Sequence, residues 1–303
     1  GMSRPGEIAE QARTAQPDTG VITCVAPVHL EFFDGIEAIA EAKRELVAAL
    51  PPDGTAVLNA DDQHVSRFGE GFEGYVLWFG AGRTADFRAC EIAQEGLRGV
   101  SFRLDWEGEP TEIRVPLVGR HNVVNALAAI ATVHTFGIHP RQAAAVLACF
   151  HPPKMRGELL EWNGVTILND AYNSNPRALA SMLEALAKTP VSGRRIAVLG
   201  EMLELGPTSP ELHREAGRQA AAAADHLVAV RGLARYLLEG ARAAGAPEAR
   251  LAFFNTPAEA ADYVASLVQP GDLVLFKASR GVKLEEAIER LQTAQCGLRN
   301  EGA

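Results

Sequence analysis

Five short apolar runs in the second half of the chain, at residues 166–170, 195–199, 226–230, 251–254 and 272–276, alternate with stretches of helical spacing. An alternation this long has one economical solution, a parallel sheet wound on both faces by the intervening helices. The first half follows a different rule. It reads as strand 20–25, helix 35–50 and strands 55–58 and 75–79, and then as three period-two segments, 87–93, 99–106 and 111–117, separated by glycine and by Glu107-Gly-Glu-Pro110. That spacing predicts antiparallel hairpins. Helices over 121–136 and 140–149 follow, and His151-Pro-Pro-Lys154 stops the pattern. The expected organisation is two α/β domains, 1–152 and 153–303, with only the tail from Gly297 outside regular structure.

With 303 residues, 47% of them apolar, there is enough material for two buried cores. The net charge of −9 comes without any basic block, which argues against a surface built for nucleic acid or anionic lipid. Four cysteines, Cys24, Cys90, Cys149 and Cys296, are scattered and form no C-x-x-C pair, so neither a zinc site nor a disulfide framework is expected. No apolar run is long enough to cross a bilayer, and residues 1–20 lack the charged-then-apolar grading of a signal peptide. The expectation is a soluble, cytoplasmic protein with reduced thiols and a monomer as its default state.

Candidate chemistry concentrates where strands end. Asp170-Ala-Tyr-Asn-Ser-Asn-Pro176 joins the run 165–168 to a helix marked by Ala178, Leu179, Met182, Leu183 and Leu186. Asn175 is placed to cap that helix and Pro176 suits its first position. Asp170 and Tyr172 would then line a crevice at the carboxyl end of a strand, where open α/β sheets bind ligands. A well-capped turn with no ligand has the same composition. Lys277, Ser279 and Arg280 follow the run 272–276, where a cation suits a carboxylate and a solvated basic loop is the ordinary alternative. Arg156, just after the interdomain break, offers a planar fork for phosphate or sugar hydroxyls. Asn122 and Asn125, three residues apart in a first helical turn, can present donors and acceptors together, although polar first turns are common.

Lys43 makes a separate argument. On a helical wheel Ile36, Ile39, Leu46, Val47 and Leu50 share one face with Lys43 near its middle, while Glu37, Glu41, Arg44 and Glu45 take the other side. An ammonium there must snorkel, pair or give up its charge. Burial favours the free amine, which can take up carbon dioxide to become a carbamate and so an oxygen ligand for Mg2+. His29, just past the strand 20–25, reads first as a hydrogen-bonding residue, and Asp61 and Asp62 as turn and cap residues.

Taken in order, Val28-His29-Leu30-Glu31, Ala40-Glu-Ala-Lys43, Leu58-Asn-Ala-Asp-Asp62, Gly119-Arg-His-Asn-Val-Val-Asn125, Asp170-Ala-Tyr-Asn-Ser-Asn-Pro176, Val198-Leu-Gly-Glu-Met-Leu-Glu-Leu-Gly206 and Lys277-Ala-Ser-Arg280 resemble the motif series of the Mur ligase family. Within it they resemble the branch that joins D-alanyl-D-alanine to UDP-N-acetylmuramoyl-tripeptide. The resemblance spans nearly the whole sequence. It implies an α/β fold class: a truncated central ATPase-type domain with antiparallel hairpins, then a Rossmann-like doubly wound C-terminal domain. It implies an ATP-dependent, ADP-forming ligase of peptidoglycan synthesis, in which the tripeptide carboxylate becomes an acyl phosphate and the dipeptide amine displaces phosphate. By the same comparison Lys43 would be carbamylated and would bind Mg2+ beside His29. Asn122 and Asn125 would meet adenine, Arg156 and Tyr172 the nucleotide, and Asp170 its ribose. Asn173, Asn175, Lys277, Ser279 and Arg280 would orient the dipeptide.

Two positions depart from the family pattern: Ser174 stands where alanine is common, and Ala278 where glycine is usual. The sequence contains no G-x-x-x-x-G-K-[ST] loop, and Gly1-Met-Ser-Arg-Pro-Gly-Glu-Ile8 resembles the segment just after the family's phosphate loop. A fragment that does not form the amide bond by itself is therefore expected. Two other readings stay open. One is a non-catalytic module that binds nucleotide or dipeptide; the other is a Mur ligase adding a different amino acid, which Tyr172-Asn-Ser-Asn-Pro176 disfavours. A nucleotide-linked oxidoreductase is disfavoured because residues 198–206 lack G-x-G-x-x-G spacing.

Overall fold

The computed structural model describes residues 2–26 and 32–298, side chains of 294–298 excepted. It forms two compact units, residues 1–151 and 152–303.

The first unit contains, in order, α1 (Glu7–Ala15), β1 (Thr19–Ile22), α2 (Ile36–Ala48), β2 (Thr55–Asn59), β3 (Tyr75–Gly80), β4 (Phe87–Gln94), β5 (Val100–Trp106), β6 (Glu109–Val115), α3 (His121–His134) and α4 (Pro140–Leu147). Its six strands make one sheet in sequence order. β1, β2 and β3 run parallel. β4 joins β3 in parallel through Phe79–Phe87 and Gly80–Arg88 and then pairs antiparallel with β5, which pairs antiparallel with β6. The period-two segments therefore extend the parallel sheet. β2 shows how the layers form. Ala56 and Leu58 face a core with Ile39 and Val47 of α2, while Val57 faces the opposite core with Leu127 and Ile130 of α3 and Phe102 and Ile113 of the hairpins. Each such fully buried Leu, Ile or Phe contributes roughly 1.5–3 kcal/mol relative to exposure.

Helix α1 was not expected from the sequence, and its cap explains why. Its N-cap, Gly6, has φ 85 and no capping side chain of its own. The Glu45 carboxylate of α2 instead accepts from the Gly6 and Ala9 amides at 2.8 and 3.0 Å, so the start signal sits far away in sequence.

The second unit contains β7 (Glu158–Trp162), β8 (Val165–Asp170), α5 (Pro176–Lys188), β9 (Arg195–Gly200), α6 (Ser209–Ala223), β10 (His226–Val230), α7 (Arg235–Ala243), β11 (Leu251–Phe254), α8 (Pro257–Leu267), β12 (Leu273–Lys277) and α9 (Glu285–Leu298). The sheet order is β11-β10-β9-β12-β8-β7. Every pairing is parallel except the antiparallel β7–β8 pair. β7 is an addition to the sequence reading. Trp162 pairs with Val165 across Asn163-Gly164, both at positive φ (51 and 76), the two-residue hairpin that Asn-Gly favours.

Strand order decides where a ligand could sit. The chain steps from β8 over to β9 and on to β11, then returns to insert β12 between β9 and β8. Right-handed crossovers place α5, α6 and α7 on one face and α8 and α9 on the other, and the helices contact one another in those two groups. The loops leaving β9 and β12 thus diverge to opposite faces, which opens a crevice at the carboxyl ends of these strands.

Candidate functional site

The corner after β8 is held from beneath by the end of β12. Lys277 and Asp170, last residues of neighbouring strands, are register partners. The Lys277 Nζ lies 2.5 Å from Asp170 Oδ2 and 2.9 Å from the Asn173 carbonyl oxygen, and the lysine is only 3% exposed. The Asn175 side chain accepts from the Ala178 amide at 2.9 Å and Pro176 opens α5. Asn173 Oδ1 accepts from the Ser174 amide at 2.8 Å. These turn bonds use the amide oxygens of both asparagines.

Tyr172 stands out from this corner, 40% exposed. The Arg156 guanidinium lies over its ring at 3.9 Å from the centroid, and that of Arg280 at 6.0 Å. A cation over an aromatic face is attracted by the ring quadrupole. What places Arg156 is a residue that the sequence reading did not single out. One oxygen of Glu158 accepts from the Met155 amide and from the Asn169 side-chain amide, both at 3.0 Å. Met155 sits at φ 61, and its carbonyl accepts from the Tyr172 amide at 3.1 Å. Glu158 falls in the missed strand β7, so no motif pointed to it. Arg280 remains largely exposed, with one nitrogen 2.6 Å from Glu285.

Ser279 ties three strand-end loops together. Its amide donates to the Glu201 carbonyl at 3.1 Å, its hydroxyl donates to the Ser174 carbonyl at 3.2 Å, and the Ser279 hydroxyl oxygen accepts from the Leu203 amide at 2.9 Å. The loop after β9 is held from its other side by His213 of α6. That imidazole is fully buried; its Nε2 accepts from the Met202 amide at 3.0 Å, so its Nδ1–H donates to the Ser209 carbonyl at 2.7 Å. Burial lowers the His213 pKa, against the opposing pull of the Ser209 bond and the Glu201 charge, which favours the neutral ring that these bonds require. Ala278 points its methyl into the core beside Gly200, where a second Cβ would collide with it.

In the first unit Lys43 is half-buried, and its Nζ donates to the Cys24 carbonyl at 2.7 Å. Its stem lines a cavity of about 490 Å³ with Met2, Ile8, Val21, Thr23 and Leu46. Asp62 is buried and acts as a cap, accepting from the Val25, His64 and Val65 amides at 2.9, 3.1 and 3.1 Å. Asp61 accepts from Ala81 and Gly82 at 2.5 and 2.8 Å. His29 lies outside the described residues. Among the described residues no three His, Cys, Asp or Glu side chains gather as metal ligands. Asn122 and Asn125 do touch, but unequally. Asn122 is buried, donating to the Val118 carbonyl at 3.0 Å and accepting from Asn125 at 3.1 Å, while Asn125 is exposed. Only Asn125 is therefore free to turn outward.

Comparison with known proteins adds the decisive observation. Residues 1–133 match the Mur ligase middle domain, and residues 155–280 match the domain described as Mur ligase, glutamate ligase domain. The chain belongs to the Mur ligase family. It is 33% identical over 293 residues to the UDP-N-acetylmuramoyl-tripeptide–D-alanyl-D-alanine ligase of Bacillus subtilis, covering 96% of this chain and 63% of that protein. It is 34% identical over 307 residues to the ligase of that name from Mycobacterium tuberculosis, covering 94% and 60%. The crystal structure of MurF from Acinetobacter baumannii superposes with a TM-score of 0.85 at 28% identity, over 96% of this chain and 63% of that one. MurF from Thermotoga maritima, solved in complex with ADP, gives 0.83 at 27% identity over 96% and 65%. The chain thus spans somewhat less than two thirds of these relatives.

Against this Mur ligase frame, the structure brings Asp170, Tyr172, Asn173, Asn175, Lys277, Ser279, Arg280 and Arg156 together at one end of the second sheet. Lys43, Asn122 and Asn125 belong to the first unit. Lys277 and Ser279 differ from the picture of groups open to an incoming carboxylate. The ammonium and the hydroxyl are buried, and both are engaged with the corner after β8.

Proposed function

We propose that this chain forms the middle and C-terminal domains of an ATP-dependent, ADP-forming ligase that joins D-alanyl-D-alanine to UDP-N-acetylmuramoyl-tripeptide in the cytoplasm. The observation that carries the reading is the corner after β8. There an aspartate with one oxygen held by Lys277, and the other without a side-chain partner among the described residues, stands beside an exposed tyrosine stacked under an arginine, at the strand ends where α/β sheets bind nucleotides.

Each side chain has a distinct task in this reading. Asp170 accepts ribose hydroxyls through the oxygen that Lys277 leaves free. Arg156, held over Tyr172, offers its fork to the phosphates. In the first unit Asn125 is the amide open to a base edge, and Asn122 fixes its angle. Arg280, the exposed cation of the β12 loop, receives the dipeptide carboxylate, and the amide nitrogens of Asn173 and Asn175 orient its backbone. Once the tripeptide carboxylate carries phosphate, the dipeptide amine attacks the acyl carbon, the carbon–oxygen bond to phosphate breaks, and the amine proton leaves with solvent or phosphate. Aligning amine and acyl carbon is the main service such a site performs.

Lys43 and His29 are the proposed metal ligands. A carbamate on Lys43, formed with release of a proton, keeps one N–H that can still donate to the Cys24 carbonyl and adds two oxygens that share one negative charge. Mg2+, when bound, offsets charge on the phosphoryl oxygens. Native mass spectrometry of the chain kept under carbon dioxide, with Lys43→Arg as the comparison, reads the modification as one added CO2.

Titration calorimetry with ADP tests the assignment. The chain binds ADP, and Asp170→Asn weakens binding about tenfold, the worth of one charge-assisted hydrogen bond. Equal affinity in the two proteins would refute the role given to Asp170. Phosphate release that depends on both the UDP-tripeptide and D-alanyl-D-alanine would overturn the expectation that this chain does not form the amide bond by itself.

A further inference from the structure

Lys277 stands at the point where nucleotide and acceptor residues meet, yet its surroundings do not suit direct contact with a ligand. Its side chain is 3% exposed, against 57% for Arg280 in the same loop. Two of its three N–H groups are directed at Asp170 Oδ2 and the Asn173 carbonyl. An ammonium brought out of water this far is tolerable only because both acceptors lie within hydrogen-bond reach. Register fixes the arrangement. Lys277 and Asp170 end adjacent parallel strands as direct partners, so the distance between them is set by the sheet.

The geometry points to Lys277 as a positioning residue that serves two subsites with one buried charge, and this rests on the reading under Proposed function. On the nucleotide side it holds one Asp170 oxygen and so aims the other outward. On the acceptor side it holds the Asn173 carbonyl, and with it the turn that carries the Asn173 and Asn175 amides. Ser279, two residues on, closes the same turn through the Ser174 carbonyl. Without the ammonium, a partly buried carboxylate and a carbonyl lose their shared donor, and Asp170 swings toward water. The two subsites should therefore weaken together.

The experiment compares the full 303-residue chain with its Lys277→Met, Asp170→Asn and double variants, by amide hydrogen exchange and by calorimetry with ADP and D-alanyl-D-alanine separately. Lys277→Met is expected to speed exchange of the Tyr172 and Ser174 amides about tenfold or more. It is expected to lower ADP affinity by the same factor as Asp170→Asn, and the double variant should be no weaker than either single one. Lys277→Gln, which keeps a donor without the charge, replaces Lys277→Met if the latter does not fold. Loss confined to D-alanyl-D-alanine, with ADP affinity and exchange unchanged, would overturn the inference in favour of direct recognition. If the unmodified chain binds neither ligand, the ligase reading falls and exchange alone decides. Faster exchange at Tyr172 and Ser174 then sustains the positioning role, and unchanged protection ends it.

Discussion

Ser174 carries a hydroxyl that the fold buries, 4% of the residue being exposed, without a hydrogen-bond partner among the described residues. Its backbone, by contrast, is fully used: the amide donates to Asn173 Oδ1 and the carbonyl accepts from Ser279. Desolvating an unpaired hydroxyl costs about 1–3 kcal/mol, and a methyl suffers no such penalty. Ser174→Ala is therefore expected to raise stability by about 1 kcal/mol, read as a higher urea midpoint at unchanged slope. A lower midpoint would mean that the hydroxyl has a partner in solution. At this scale the sequence was partly legible. The residue types at 170–176 pointed to the corner, and Asn175 caps α5 as its position suggested. Which way Lys277 faces was not legible, because a lysine at a strand end reads the same whether it meets solvent or a carboxylate on the neighbouring strand.

Among the elements, α6 and α7 approach so closely that two glycines face each other's backbones. A Cβ on Gly217 would collide with the Leu237 carbonyl oxygen, and one on Gly240 with that of Arg214. In an isolated helix Gly to Ala gains about 1 kcal/mol. Here the obstacle is a carbonyl already committed to its own helix, and overpacking of this kind costs about 1–3 kcal/mol. The clash should win. Gly217→Ala and Gly240→Ala are each expected to destabilise the chain by about 2 kcal/mol, measured by urea unfolding; a stabilised variant would mean that the helices can slide apart. Most helices and strands followed from periodicity, since apolar faces of α2, α5 and β12 meet the cores that their spacing predicted. The two omissions have different causes. α1 is capped by Glu45 from another helix, a contact no local pattern reveals, whereas β7 was marked by Asn163-Gly164 and went unread because β8 alone satisfied the parallel pattern.

At the level of the whole molecule, each unit owns its sheet and its cores. Val165, Ile167, Val198, Phe276 and Ile288 pack in the second unit, and Val57, Phe102, Ile113 and Ile130 in the first. A unit with a complete core and no strand borrowed from elsewhere has what independent folding needs. Residues 152–303 expressed alone are expected to unfold in one cooperative transition with a urea slope about half that of a 300-residue domain, since the slope follows the surface exposed. Near-ultraviolet circular dichroism without fine structure would contradict this.

The second sheet also has an opposite rim, where its strands begin. The turn between α7 and β11 passes through Gly245, which has φ 87 and open space around its missing Cβ, and the residues from Ala243 to Gly245 are exposed. The proposed ligand corner lies at the other ends of these strands, so a fluorophore or affinity peptide grafted at Gly245 has room of its own and serves as a reporter handle for ligand binding.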